Sequence, residues 1–205
     1  MIKIKICGMT NLEDALFAAN AGVDAVGFIF APSPRQVTPE TVRAISLALP
    51  PSVMRVGVFV NEAPERVNAL ARECNLDAVQ LHGDEAPEDC RKIEAQVIKA
   101  IRIKNNGSIP DLSAYEPIVS AFLFDTYSPN QRGGTGIPFD WTVLKTLSTT
   151  AHVMISGGLN ADTLPLLLKT FTPYAVDLSS GVESAPGKKD HEKILEIVKL
   201  IRKLF

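Results

Sequence analysis

Cysteine is scarce in this sequence of 205 residues, which contains only Cys7, Cys74 and Cys90. An odd number of cysteines, far apart and without a CxxC pair, is not the pattern of a disulfide framework or of a zinc site. We therefore expect no metal centre. Isolated cysteines of this kind are typical of a reducing compartment, so we also expect a cytoplasmic protein.

The sequence also lacks a strong charge of either sign and a long apolar run. Its 21 Lys and Arg nearly balance its 23 Asp and Glu, and the net charge is -2. This balance gives no electrostatic basis for binding nucleic acid or an anionic membrane. Lys3 and Lys5 interrupt the early apolar run, so we expect neither a signal peptide nor a membrane span. A composition that is 46% hydrophobic predicts one globular domain over residues 1–205.

Short β-rich runs alternate with helical runs from one end of the chain to the other. The predicted strands are 2–7, 25–30, 55–60, 78–82, 97–103, 121–125, 152–156 and 175–179. The helical runs begin with recognisable signals, such as Asn11 and Thr38 at N-cap positions, and the run at 110–117 is the weakest. Eight alternations predict an α/β fold, a single-domain (β/α)₈ TIM barrel, with a doubly wound sheet as the alternative.

Most predicted strands have an aliphatic face and a polar face. The polar positions are Lys5, Cys7, Arg55, Gln80, His82, Lys99, Asp125, Ser156, Asp177 and Ser179. Helices pack on the aliphatic face of a parallel barrel, so the polar positions are expected to face its interior. Because buried charges are costly unless they are paired, we expect Lys5, Arg55 and Lys99 to find partners such as Asp177 there.

Five chemically capable residues fall where a barrel would gather them at one mouth. They are Cys7 at the end of strand one, Arg35 in the loop after strand two, Gln80 and His82 on strand four, and Asp125 at the end of strand six. Each alone has a structural interpretation, such as a buried thiol or a capping carboxylate. Catalytic groups of TIM barrels lie at the C-terminal ends of strands, so their joint placement favours an active site.

Two loops predict a phosphate site. Gly157 and Gly158 follow strand seven in "SGGLN", and Ser180 and Gly181 follow strand eight in "SSGVE". Backbone N–H groups of such turns bind anions, and phosphate commonly binds at these two loops of the barrel. We further expect the glycine-rich loop 128–136 to form a mobile or closely folded lid, and the stretch 183–190 to be a turn that leads into the last helix.

The motifs "KICGMT", "FAPSPR", "VGVFVN", "VQLHG", "FDT", "GGTG", "FDW", "SGGLN" and "VDLSSGVESAPGKKD" occur in this order. Together they closely resemble the phosphoribosylanthranilate isomerase family of tryptophan biosynthesis, over nearly the whole chain. The resemblance implies a phosphate-binding (β/α)₈ barrel without metal or organic cofactor. It also implies an Amadori rearrangement of N-(5-phosphoribosyl)anthranilate to 1-(2-carboxyphenylamino)-1-deoxyribulose 5-phosphate.

The resemblance extends to individual positions. Cys7 matches the general base of the family, Asp125 its general acid, and Arg35 the residue that binds the anthranilate carboxylate. The phosphate-binding positions are Gly157, Gly158, Ser180 and Gly181, and the expected substrate-lining residues are Gln80, His82 and Asp177. Lys5 is a candidate for the cation that lowers the thiol pKa of Cys7. We expect a monomer or a homodimer.

The sequence leaves two alternatives open. One is the related phosphate-sugar isomerase of histidine biosynthesis, whose acid and base are usually both carboxylates and whose chain is longer. The other is a phosphate-binding barrel without catalysis. The thiol of Cys7 and the short chain argue against the first alternative, and the presence of both Cys7 and Asp125 argues against the second.

Overall fold

A computed structural model of the chain describes residues 1–104, 107–127 and 138–204. Eight parallel strands close into a barrel in chain order. They are β1 Lys3–Cys7, β2 Ala25–Ile29, β3 Met54–Phe59, β4 Ala78–Leu81, β5 Gln96–Ile103, β6 Ala121–Thr126, β7 His152–Ile155 and β8 Ala175–Leu178. The predicted TIM barrel is confirmed, and the doubly wound sheet is excluded because β1 pairs with β8.

Helices surround the barrel. They are α1 Leu12–Asn20, α2 Pro39–Ala48, α3 Pro64–Glu73, α4 Pro87–Cys90, α5 Leu164–Thr170 and α6 His191–Leu204, with 3₁₀ helices at Trp141–Thr146 and Ser180–Val182. The side chains of Asn11 and Thr38 accept hydrogen bonds from the first turns of α1 and α2, as their N-cap positions predict. No helix in the described ranges is both long and apolar enough to cross a bilayer.

Two segments differ from the expected pattern. The weak helix after β5 is absent, since residues 113–118 form turns. The stretch 183–190 is more than a turn, because β9 Glu183–Ala185 and β10 Lys188–Lys189 form a small antiparallel sheet. Gly187, at a φ of 81°, closes this hairpin in a conformation that favours glycine. The expected lid at 128–136 lies outside the described residues.

The lower half of the barrel interior is apolar. It contains Ala25, Val56, Ala78, Ile98, Ala100, Ala121, Leu123, Met154 and Ala175. Small side chains dominate this layer, and a cavity of about 280 Å³ lies at the N-terminal end of the barrel. A larger apolar layer packs between the strands and the helices. The polar groups of the interior therefore lie in its upper half.

Arg55 lies outside the barrel interior, so the expectation that it faces inward was wrong. Its neighbour Val56 belongs to the interior layer, and successive side chains of a strand point to opposite faces. The Arg55 guanidinium donates to the carbonyl oxygens of Ser46 and Leu49 at the end of α2. Arg55 thus satisfies helix C-terminal carbonyls that have no intrahelical donor.

Lys99 also lies outside the interior, contrary to expectation. Ile98 and Ala100 on either side of it belong to the interior layer. The Lys99 ammonium is buried against the loop after β4, where its Nζ lies 2.9 Å from Glu85 Oε2. The predictions for Arg55 and Lys99 failed for the same reason. Both β3 and β5 have apolar residues on both faces, so a polar residue does not indicate which face is inside.

Candidate active site

The structure brings the predicted acid–base and lining residues together at the C-terminal end of the barrel. Cys7 ends β1, Gln80 lies in β4 with His82 just beyond it, Asp125 lies in β6, Asp177 lies in β8, and Arg35 lies in the loop between β2 and α2. All six side chains are buried. Parallel strands of a barrel end at the same rim, which is why residues so distant in sequence meet.

Lys5, Cys7 and Asp177 form the first part of the site. Lys5 and Asp177 are partners in the β1–β8 register, and Lys5 Nζ lies 2.9 Å from Asp177 Oδ1. This pair confirms the expected interior partner of Lys5. A Cβ on Gly27 of β2 would lie 2.7 Å from Cys7 Sγ and 3.1 Å from Lys5 Nζ. Glycine at this position therefore provides the space in which the thiol and the ammonium meet.

Burial raises the pKa of the Cys7 thiol above its ordinary value, although the adjacent Lys5 ammonium partly opposes this shift. Lys5 is thus the nearby cation that the sequence suggested. Its effect does not outweigh burial, and the thiol remains protonated at neutral pH in the free protein. Burial also raises the pKa of Asp177, again against the influence of Lys5.

Asp125, His82 and Gln80 form the second part. Asp125 Oδ1 accepts the N–H of Thr126 at 2.8 Å, and Asp125 Oδ2 lies 3.2 Å from His82 Nε2. The Gln80 amide nitrogen lies 2.8 Å from His82 Nδ1 and donates to it. In the neutral imidazole the ring proton is then on Nε2, on the side of Asp125.

Several polar atoms of this second part are unsatisfied. Within the described ranges, His82 Nε2, Gln80 Oε1 and Thr126 Oγ1 are buried without a well-formed hydrogen bond. Buried polar atoms are nearly always hydrogen-bonded, and exceptions need a specific explanation. A polar ligand that enters the mouth of the barrel would supply the missing partners.

Arg35 lies beside Cys7 and is bound by Glu183. Its Nε and Nη2 donate to Glu183 Oε1 and Oε2 at 2.8 and 2.7 Å. Lys189 Nζ lies 2.7 Å from Glu183 Oε1 and donates to the Cys7 carbonyl at 2.6 Å. Sequence reasoning missed Glu183 and Lys189, because the stretch was interpreted as a plain turn. The available signal was a charged residue on each side of a Pro–Gly pair.

The two loops of the predicted phosphate site lie against each other. Gly157 and Gly158 have φ values of 85° and 67°. A Cβ on Gly157 would lie 2.7 Å from Asp125 Oδ1, and one on Gly181 would overlap the carbonyl of Leu159. A side chain at position 181 would therefore separate the two loops, and one at position 157 would push its loop away from β6. The first N–H groups of the 3₁₀ helix at Ser180–Val182 have no intrahelical acceptor, so they can bind an anion.

In the parts of the chain that the structure describes, no group of three or more His, Cys, Asp or Glu side chains is arranged to hold a metal ion. The chemistry that this arrangement offers is proton transfer and anion binding. A thiol, a carboxyl group and an imidazole can exchange protons, and the guanidinium and the glycine loops can bind two separate anionic groups.

Comparison with known proteins agrees with this chemistry. A profile of the family described as N-(5'phosphoribosyl)anthranilate (PRA) isomerase matches residues 4–200. An N-(5'-phosphoribosyl)anthranilate isomerase from Pelobacter propionicus is 47% identical over 203 residues, which are 98% of this chain and 96% of the relative.

Solved structures agree as well. Monomers generated from the dimeric phosphoribosylanthranilate isomerase of Thermotoga maritima are 42% identical and match with a TM-score of 0.85, over 99% of this chain and 100% of theirs. The same values hold for a phosphoribosyl anthranilate isomerase in complex with reduced 1-(o-carboxyphenylamino)-1-deoxyribulose 5-phosphate. The alternatives considered from the sequence receive no support from these matches. The chain belongs to the N-(5'-phosphoribosyl)anthranilate isomerase family, the aldose–ketose isomerases of tryptophan biosynthesis.

Proposed function

We propose that this chain converts N-(5'-phosphoribosyl)anthranilate into 1-(2-carboxyphenylamino)-1-deoxyribulose 5-phosphate, with Asp125 as the general acid and Cys7 as the general base. The observation that carries the proposal is the pair of neighbouring networks at one mouth of the barrel. Cys7 lies in one with Lys5 and Asp177, and Asp125 lies in the other with His82. Two strands, β7 and β8, separate the strands that carry the acid and the base.

The acid step comes first. Asp125 protonates the furanose ring oxygen, and the ring opens to an iminium ion. The side chain of Asp125 is only 3% exposed, the N–H of Thr126 orients its Oδ1, and its Oδ2 lies 3.2 Å from His82 Nε2.

The base step follows. Cys7 removes the proton from C2′, and the resulting enolamine tautomerises to the ketone. The raised pKa of the thiol keeps its proton in place before substrate reacts. The iminium ion then adds a positive charge beside the thiol, in addition to that of Lys5, and both charges favour the thiolate. The base therefore becomes active after the ring has opened.

Binding at both ends holds the ribose between acid and base. Arg35 pairs with the anthranilate carboxylate, and the loops that contain Gly157, Gly158, Ser180 and Gly181 bind the phosphate. Gln80, His82 and Asp177 contact the hydroxyl groups of the opened sugar, consistent with the unsatisfied atoms of Gln80 and His82. Interactions remote from the reacting carbons lower the barrier by fixing the geometry.

Turnover of N-(5'-phosphoribosyl)anthranilate by purified variants tests the proposal. We expect Cys7→Ala and Asp125→Asn each to lower kcat by about 10³-fold or more while the far-UV circular dichroism stays unchanged. Cys74→Ala is the matched control, since that thiol lies in the apolar layer outside the barrel, at the end of α3, where it donates to the Pro39 carbonyl. Parental turnover in either site variant would refute the assigned role. Growth of a tryptophan auxotroph that lacks this step tests the activity in cells.

Assembly and location remain predictions. A monomer and a homodimer are both compatible with the fold, and sedimentation equilibrium would distinguish them. The cavity at the N-terminal end of the barrel and the partly exposed Met54 and Tyr174 beside it favour the homodimer. Fractionation of the cells that produce the protein would test the cytoplasmic location.

A further inference from the structure

We propose that Glu183 and Lys189 are positioning residues for the isomerisation, and that the hairpin β9–β10 uses them to fix Arg35 and the end of β1. The inference rests on the function proposed above, because it assigns partners to the presumed carboxylate-binding residue and to the presumed base. Glu183 binds Arg35 and Lys189 binds the Cys7 carbonyl, so each acts through another residue.

Glu183 fixes the orientation of Arg35. Its two carboxylate oxygens accept from Nε and Nη2 of the guanidinium, and both side chains are less than 10% exposed. A guanidinium has five N–H donors in a rigid plane. Glu183 accepts the Nε–H and one N–H of Nη2. The two N–H groups of Nη1 and the other N–H of Nη2 remain available to bind a planar anion. Arg35 can thus bind the substrate carboxylate without leaving its buried partner.

Lys189 fixes the end of β1. Its ammonium donates to the Cys7 carbonyl and to Glu183, and its side chain is fully buried. The backbone N–H of Lys189 donates to Asp14 Oδ2 near the start of α1, which anchors the hairpin from a second side. Gly8, at a φ of 76°, lets Arg35 pass close to β1, since a Cβ there would lie 2.6 Å from Arg35 Cδ.

The charges around the Cys7 thiol come from four elements. Lys5 and Asp177 face it from the interior, Lys189 faces it from the hairpin, and Arg35 faces it from the loop after β2. Burial raises the thiol pKa, and the Lys5 and Lys189 cations oppose that shift. Removing the ammonium of Lys189 therefore raises the thiol pKa further. A purely structural lysine would affect unfolding and leave this titration unchanged.

The first experiment measures KM. Glu183→Gln keeps the size of the side chain but accepts with only one oxygen and without charge, so Arg35 loses its fixed plane. We expect KM to rise about tenfold with a smaller change in kcat. In an Arg35→Ala background the same substitution should leave KM unchanged, because there is then no guanidinium to orient. An unchanged KM in the single variant, or additive effects in the double variant, would overturn the role of Glu183.

The second experiment measures the thiol directly. The probe is the pH dependence of iodoacetamide alkylation at Cys7, read from the mass of its peptide, beside the pH profile of kcat/KM. Lys189→Met should raise the midpoint of the alkylation profile and that of the kcat/KM profile by about one pH unit each. Lys189→Arg should keep both midpoints near the parental values. Lys188→Met is the matched control, because Lys188 is in the same hairpin but exposed, and it should not shift either midpoint.

The two readouts separate this inference from the proposed function. Unchanged alkylation in folded Lys189→Met protein would overturn the role of Lys189. A shifted alkylation midpoint with an unshifted kcat/KM profile would instead support the effect of Lys189 on the thiol pKa. It would also show that Cys7 is not the base. If Lys189→Met does not fold, Glu183→Gln decides the proposal through KM.

Discussion

Two buried lysine–carboxylate pairs in this barrel have the same chemistry and different surroundings. Lys5 and Asp177 pair inside the barrel, and Lys99 and Glu85 pair outside it, both at 2.9 Å. All four side chains are at most 4% exposed. The difference lies in the third group that each pair contacts. For Lys5 that group is the thiol of Cys7, whereas the outer pair forms hydrogen bonds with backbone groups of the loops after β3 and β4.

The outer pair organises two loops. Lys99 Nζ donates to the carbonyl of Gly83 at 2.9 Å, and Glu85 accepts the backbone N–H groups of Asn61 and Gly83. Glu85 thereby links the ends of β3 and β4. A buried ion pair contributes little net stability by itself, so its neighbours determine its role. The inner pair tunes a reactive group, and the outer pair satisfies backbone groups.

Breaking the inner pair should produce the larger change in activity. In Lys5→Met the cation beside Cys7 is lost, and we expect kcat/KM at pH 7 to fall by about 10- to 100-fold. The base acts as thiolate, so activity rises as pH rises through the thiol pKa. Removing Lys5 raises that pKa, and the acidic limb of the kcat/KM profile should move to higher pH. An unmoved limb would show that Lys5 does not tune the thiol.

Breaking the outer pair should instead reduce stability. Lys99→Met leaves the carboxylate of Glu85 buried without its cation, which costs about 3–5 kcal/mol in the free energy of unfolding. Because Lys99 lies on the opposite face of the sheet from the interior that holds Cys7 and Asp125, kcat of the folded fraction should stay close to the parental value. Urea unfolding and steady-state kinetics on the same sample measure both quantities. A kcat loss as large as that of Lys5→Met would contradict the comparison.

Replacing both members of each pair sharpens the contrast. An apolar replacement of a buried ion pair is often neutral for stability, so Lys5→Met with Asp177→Leu should recover most of the stability and none of the activity. The double variant Lys99→Met with Glu85→Leu should recover less of the lost stability than the inner double variant. The N–H groups of Asn61 and Gly83 lose their acceptor in it. Equal recovery in the two double variants would mean that these backbone contacts are unimportant.

The sequence indicated the inner pair and not the outer one, for a physical reason. Period-two alternation identifies the two faces of a strand, and β1 and β8 have one apolar and one polar face, so Lys5 and Asp177 could be matched. In β3 and β5 both faces are apolar, because small and aliphatic residues such as Val56 and Ala100 fill the lower interior. Alternation therefore could not indicate the face of Arg55 or Lys99.

The contacts around the site were less predictable than its members. Strand-end residues such as Cys7 and Asp125 could be placed at one rim from topology alone. The partners of Arg35 and Cys7 in the hairpin are 148 and 182 residues away in the chain. No local pattern encodes a contact at that separation, so Glu183 and Lys189 became visible only in the folded barrel.

Arg55 provides the smallest test, because it was predicted inside and lies outside. Arg55→Met removes donors from the carbonyls of Ser46 and Leu49, and we expect a loss of about 1–2 kcal/mol in the free energy of unfolding with unchanged kcat/KM. Arg72→Met is the control, since that exposed arginine pairs with Glu94 at the surface and should change stability by less than about 0.5 kcal/mol. Urea midpoints measure both. If Arg55→Met shifted the pH profile as Lys5→Met does, Arg55 would have to act on the interior charges, and the distinction between inner and outer cations would fail.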